Sequence, residues 1–283
     1  MNDNYLIRPM NLREVTEFAI PLAAKEGWNP GKYDAECFFR ADPGGWFTGT
    51  LNGEPISCIS AVSYGGQFGF IGFYIVKEGH RGMGYGIQIW EKAMQYLGSQ
   101  NIGLDGVVDQ QHNYQKSGFN LAYSNMRFEG TATKQHTDIR EVIDLSEVPF
   151  DSLLEFDSCY FPVRREEFLK CWIRQPESKS FGIFRGGKTE GYCILRKCRK
   201  GYKFGPLFAK NSADAEKLFL AGISSIPLNS PFFLDCPEVN TNAIELAEHY
   251  QMKPVFSTAR MYTKGEPDLD LSGIYGVTTF ELG

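Results

Sequence analysis

The chain reads as an α/β (α+β) protein built from one structural plan used twice. Three observations carry that expectation. Strand-like and helix-like apolar periods alternate from end to end. The segments Met10–Val15, Phe47–Gly53 and Tyr123–Arg127 match Ile143–Val148, Phe181–Gly187 and Phe256–Arg260 at a near-constant offset of 133 to 134 (145 − 12, 187 − 53, 260 − 127). Third, His80-Arg-Gly-Met-Gly-Tyr-Gly86 stands between an apolar strand-like run and a helical pattern.

The first copy is expected as a strand (5–9), a helix (12–25) opened by Asn11 as N-cap, and a second helix (33–40). A hairpin (46–51 and 55–63) turning at Asn52-Gly53 and a strand (68–76) follow. After the glycine turn come a helix (87–97), a strand (103–108), a short turn or helix around Asn113-Tyr114, and a last strand (122–129). The second copy repeats this order with segments 138–143, 150–160, 166–174, 181–184, 191–197, 202–208, 213–223, 232–235, 242–250 and 255–262. Domains are therefore expected at 1–130 and 138–265, with a small polar linker at 131–137. The tail 266–283 contains Ile274–Phe280, apolar enough to pack back on a domain.

Composition narrows the function classes. With 42% hydrophobic and 22% charged residues in 283, the chain has the balance of a globular protein. A formal net charge of −5 supplies no basic footprint, so nucleic acid is not an expected partner. No apolar run approaches the ~20 residues that span a bilayer, and the N-terminus lacks a leader pattern, so a cytoplasmic protein without membrane contact is expected. The seven cysteines include no Cys-x-x-Cys pair and are expected as buried free thiols. The four scattered histidines imply no metal.

The glycine turn is the chemical signal. A helix N-terminus presents unpaired backbone N–H groups and partial positive charge, and glycines let the backbone close around an anion. A dinucleotide fingerprint needs Gly-x-Gly-x-x-Gly, whereas the spacing here is Gly82-x-Gly84-x-Gly86. Gly182–Thr189 satisfies Gly-x4-Gly-Lys-Thr, but strand-like residues 190–195 follow it, so a hairpin turn is expected there. Arg81-Gly-Met-Gly-Tyr-Gly86 fits a third pattern, Arg/Gln-x-x-Gly-x-Gly/Ala.

With Val76–His80 before it and Tyr114–Phe119 about 30 residues beyond it, this segment resembles the pyrophosphate loop of the GNAT superfamily of acetyl-CoA-dependent N-acetyltransferases. Glu26–Gly31 and Ile274–Phe280 resemble a two-domain branch of that superfamily, so the resemblance spans nearly the whole chain. It implies that each domain is a mixed, mainly antiparallel twisted sheet flanked by helices. It also implies that Arg81, Gly82, Met83, Gly84, Tyr85 and Gly86 hold the pyrophosphate of acetyl-CoA. Backbone of Tyr74, Ile75 and Val76 would pair with the pantetheine arm, and an N–H near Val76 would face the oxyanion. Gly72 reads equally as a bulge or as a packing glycine.

Acetyl transfer to a primary amine needs a proton for the departing thiolate, and Tyr114 is the expected donor. Glu26, Trp28 and Asn29 are placed by the resemblance at the acceptor, a small molecule or a peptide. Glu78, His80, Asp109 and Glu26 all remain open as the base. At the repeat offset Arg81, Gly84, Gly86 and Tyr114 fall on Asp214, Lys217, Phe219 and Ala247, so the second copy is expected to lack both cradle and acid. A monomer or a homodimer is consistent with the sequence, and a non-catalytic acyl-CoA sensor is the alternative to an enzyme.

Overall fold

The computed structural model describes residues 4–133 and 139–283. The first half supplies β1 (Tyr5–Pro9), β2 (Trp46–Leu51), β3 (Glu54–Tyr64), β4 (Phe68–Val76), β5 (Asn101–Val107) and β6 (Asn120–Thr131). The second supplies β7 (Val142–Asp144), β8 (Lys179–Arg185), β9 (Lys188–Lys197), β10 (Tyr202–Ala209), β11 (Pro231–Pro237) and β12 (Lys253–Tyr262), and the tail adds β13 (Ile274–Gly276). Of the expected linker 131–137 and the strand from Asp138, residues 134–138 lie outside the described ones.

Local chemistry accounts for the element ends. Asn11 caps the first helix in a capping box with Glu14. That helix loosens to a π turn over Val15–Ala19, immediately before Pro21, which has no N–H to donate. Asn52-Gly53 and Gly186-Gly187 take positive φ in two-residue hairpin turns, so the Gly182–Thr189 pattern is a hairpin.

The strands form one continuous sheet in the order β1-β2-β3-β4-β5-β12-β6-β11-β10-β9-β8-β7. All its pairings are antiparallel except β4–β5 and β10–β11. Each parallel pair is joined through a helix, Tyr85–Leu97 in the first half and Ser212–Ser224 in the second.

The halves exchange their last strands. β12 pairs with β5 of the first half, and β6 pairs with β11 of the second. At the centre β6 and β12 lie antiparallel with Asn125 opposite Thr258 and Met126 opposite Ser257, so repeat-equivalent segments meet across a local two-fold axis. Each exchanged strand carries an arginine to an aspartate of the other half. Arg127 grips Asp235 with two bonds of 2.6 and 2.7 Å, and Arg260 grips Asp105 with two of 2.9 and 2.6 Å. All four side chains are buried. Burial pushes the Asp235 carboxyl up, but the adjacent guanidinium outweighs it and holds the group below the usual carboxylate range.

The cysteine expectation is corrected at the same axis. Cys37 and Cys171 are joined, with Cα atoms 5.3 Å apart, while Cys58, Cys159, Cys193, Cys198 and Cys236 are free and Cys159 is exposed. The pair lies on helices Asp34–Ala41 and Glu166–Trp172, which pack on one another with Phe38 stacked on Trp172 at 5.6 Å. Cys37 and Cys171 are repeat equivalents (171 − 37 = 134), so the axis brings together two residues that no local spacing pattern links.

Asp235→Asn leaves the Arg127 guanidinium buried without its counter-charge. Urea unfolding should show a loss of about 3–5 kcal/mol; a loss under about 1 kcal/mol would mean that the exchanged strands do not depend on this pair.

Candidate functional site

A cleft opens in the first half because β4 and β5 part company. Their pairing runs from Phe68–Asn101 to Ile71–Leu104 and stops there, leaving β4 beyond Ile71 without a partner on its β5 side. A bulge against β3 accompanies the parting: Cys58 faces Ile75 and Ser60 faces Gly72, so β4 has one residue too many, and Phe73 takes a φ of 49°. Gly72 also packs against backbone, since an added Cβ would stand 2.1 Å from the Glu281 carbonyl oxygen. Both readings of Gly72 hold, because the C-terminal tail lies against the bulge.

The glycine turn sits at the mouth of this cleft. Gly82 and Gly84 have φ of 75° and 85°, conformations that disfavour any side chain. Gly84 is the N-cap of the helix Tyr85–Leu97, which has no side-chain cap and no acidic residue in its first turn. Its leading N–H groups therefore keep their dipole and lack a local anion. Arg81 stands beside it, donating Nε to the Val76 carbonyl at 2.8 Å and pairing through Nη2 with Glu26. Met83 is exposed, Tyr85 is buried with its ring 4.7 Å from Tyr5, and Gly86 packs close to the Tyr74 hydroxyl.

Within the cleft lies a small pocket that opens to its mouth. Trp28, Phe73, Tyr74, Trp90 and Tyr114 line it from the first half, and Phe256 and Phe280 come from β12 and the tail. Tyr114 comes from the short helix Gln111–Lys116, its ring 5.5 Å from Trp90. Burial pushes its phenol up to about 12, with Tyr74 adding to the shift, so it is a protonated hydroxyl at neutral pH. Tyr74 is likewise raised by burial.

The remaining expected residues divide. The Ile75 side chain is buried in the core, while Val76 spends its carbonyl on Arg81. Trp28 lines the pocket and also packs on Phe73, with its backbone carbonyl held by Arg127 Nη1 at 3.0 Å. Asn29 lies away from the pocket lining, its amide tied at both ends to Lys200 at 2.9 Å. Glu26 is engaged at the glycine turn by Arg81. Glu78 and Asp109 are exposed, and neither they nor His80 line the pocket.

Sequence reasoning missed the pocket's charged residues, Asp105, Arg127 and Glu281. Arg127 was visible as a matched repeat position, but its place in the pocket follows from the exchange of β6 and β12. Among the described residues no His, Cys, Asp and Glu grouping has metal-binding geometry, and no helix is long and apolar enough to cross a membrane.

The equivalent place in the second half is closed. Asp214, buried at the start of Ser212–Ser224, accepts Arg185 and Asn211 and fills the position of the glycine turn. β10 and β11 part after Lys203–Phe233, but β13 of the tail pairs with β10 at Leu207 and Phe208 and occupies that edge.

An open stretch of the β4 edge, an uncapped helix start at Gly84 and a buried phenol at Tyr114 lie together in the first half, as an acyltransferase fold would place them. Comparison with known proteins agrees. Residues 12–119 match the Acetyltransferase (GNAT) family and residues 153–276 an Acetyltransferase (GNAT) domain. A holothin acyltransferase from Pseudoalteromonas sp. (strain SANK 73390) is 31% identical over 98% of this chain and 94% of its own length. A crystal structure of a candidate acetyltransferase from Pyrococcus horikoshii superposes with a TM-score of 0.84 at 20% identity, covering 99% of this chain and 96% of that one. A tandem GNAT protein from the clavulanic acid biosynthesis pathway superposes at 0.65 with 12% identity, covering 92% and 98%. The chain belongs to the GNAT superfamily, in its tandem form, and is an acyltransferase of that class.

Gly72→Ala puts a methyl group into the space of the Glu281 carbonyl. The tail should be displaced, seen as faster carboxypeptidase trimming of residues 277–283 and a lower Tm; unchanged trimming would show that the tail is not held through this contact.

Proposed function

We propose that this chain transfers an acetyl group from acetyl-CoA to the primary amine of a small-molecule acceptor, at one active site in its first half. The observation that carries the proposal is the contrast between the halves: the β4 edge and the glycine turn are open, whereas β13 and Asp214 close their counterparts. In this reading the diphosphate sits on the N–H groups of 82–86 with Arg81 released from Glu26 to meet it. The β4 edge at Tyr74–Val76, its Val76 carbonyl held by Arg81, pairs with the pantetheine amides through its other backbone groups, as an added strand would. The thioester then lies beside Tyr114.

The steps follow from the groups at hand. The amine nitrogen attacks the thioester carbon, and backbone N–H at the bulge supports the oxyanion. The C–S bond breaks and the thiolate takes the Tyr114 proton. The phenol regains a proton from the nitrogen as the amide forms. A pocket walled by aromatic rings suits a small amine on an apolar body better than a peptide chain. The Pseudoalteromonas relative is described as a holothin acyltransferase, and a small-molecule acceptor is the corresponding choice here.

Free-CoA release from acetyl-CoA across a panel of small amines and peptide N-termini tests the reading. Small apolar amines should turn over, and turnover confined to peptides would overturn the acceptor class. Tyr114→Phe should lower kcat by about 10²–10⁴-fold with the acetyl-CoA Kd unchanged; full retention of kcat would move the acid elsewhere. In calorimetry, Gly84→Glu should abolish acetyl-CoA binding, by backbone strain at a φ of 85° and by charge repulsion. Binding that survives this change would remove the diphosphate from the glycine turn.

A further inference from the structure

We infer that Glu281, delivered by the C-terminal tail, is the carboxylate that receives the acceptor's amine and takes its proton. The inference rests on the acetyl-transfer reading and assigns the base that reading leaves open. It stands on the charges around the pocket. Three charged residues line it: Asp105, Arg127 and Glu281. Asp105 is bound by Arg260, and Arg127 is bound by Asp235 and the Trp28 carbonyl.

Glu281 differs from both. Its residue is only 3% exposed, yet no hydrogen bond or ion pair among the described residues engages its carboxylate. Nor do its oxygens number among the buried polar atoms sealed off without a partner, and Glu281 is one of the residues that line the pocket. A carboxylate held out of bulk water and unpaired calls for a donor, and a positively charged or N–H-bearing ligand supplies it. Arg127, Arg196 and Lys203 face it from β6, β9 and β10 at longer range. Arg196 is committed to Asp34, and Lys203 donates to the Trp28 carbonyl at 3.3 Å.

Its position is built rather than incidental. Thr279 Oγ1 accepts the Glu281 N–H at 2.8 Å and the Leu282 N–H at 3.0 Å, fixing the turn that presents the side chain. Tyr64 Oη donates to the Leu282 carbonyl at 3.0 Å, and the Glu281 carbonyl lies on Gly72 at the bulge. The carboxylate therefore stands on the tail where β4 and β5 part, with Phe256 and Phe280 forming apolar walls for the amine's body. One proton passes from the ammonium to a Glu281 oxygen, freeing the nitrogen lone pair that forms the C–N bond. That proton leaves to solvent after the products depart. The ligand class is a primary amine on an apolar or aromatic body.

The test compares the full-length wild type with Glu281→Gln, which keeps size and removes the proton acceptor. For the best amine in the panel, kcat/KM should fall at least a hundredfold, the acid limb of its pH profile should flatten, and the acetyl-CoA Kd should stay within twofold. Retention of kcat/KM within threefold overturns the assignment while leaving acetyl transfer intact. Failure of wild type to bind acetyl-CoA strikes the underlying reading instead. If no amine turns over, 2-phenylethylamine serves as a binding probe by NMR in the presence of CoA. Binding to wild type and not to E281Q supports the assignment; equal binding, or none to either, overturns it.

Discussion

Two buried arginine–aspartate pairs on exchanged strands hold the two halves as one body. Arg127 on β6 reaches Asp235 of the second half, and Arg260 on β12 reaches Asp105 of the first. A buried guanidinium is tolerable only with a well-placed counter-charge, so each half requires the other's last strand in register. The central β6–β12 pairing then fuses two sheets into one and removes two edges that would otherwise stand open. Phe38 on Trp172 and Cys37 with Cys171 repeat the same logic on a helical face, where equivalent residues meet at the axis.

This symmetry makes the functional asymmetry legible. Both halves splay a parallel strand pair, β4–β5 and β10–β11, and in both a glycine at that point accommodates the tail. An added Cβ at Gly72 would meet the Glu281 carbonyl at 2.1 Å, and one at Gly205 the Thr278 carbonyl at 2.2 Å. The tail runs past the second splay as β13, filling it, and ends at the first, lining it. One segment thus closes one cleft and furnishes a wall of the other. The helix starts differ in the same sense: the one after Gly84 has no side-chain cap and no acidic residue in its first turn, whereas Asn211 caps its counterpart and Asp214 adds a negative charge there.

Much of this was readable from residue order. Asn52-Gly53 and Gly186-Gly187 demand positive φ wherever they stand, and Asn11 with Glu14 announces a helix start, because these effects act within a few residues. The glycine turn was readable for the same reason, as was its loss at Asp214. Local chemistry also set the limits of that reading. Asn29 has the composition of a loop ligand, but its amide is spent on Lys200, 171 positions away. Cys37 carries no spacing signal because its partner lies 134 residues on.

By itself the sequence determined the element order, the repeat, and the choice of one glycine turn over two nucleotide-binding patterns, all of which follow from short-range conformational preference. Only the tertiary structure decided that the last strands cross over, that the tail enters both clefts, and that Arg127, Phe256 and Glu281 share a pocket with Trp28 and Tyr114. Those placements depend on which buried charges and apolar faces find partners across more than a hundred residues, and a linear pattern does not encode the axis that brings them together.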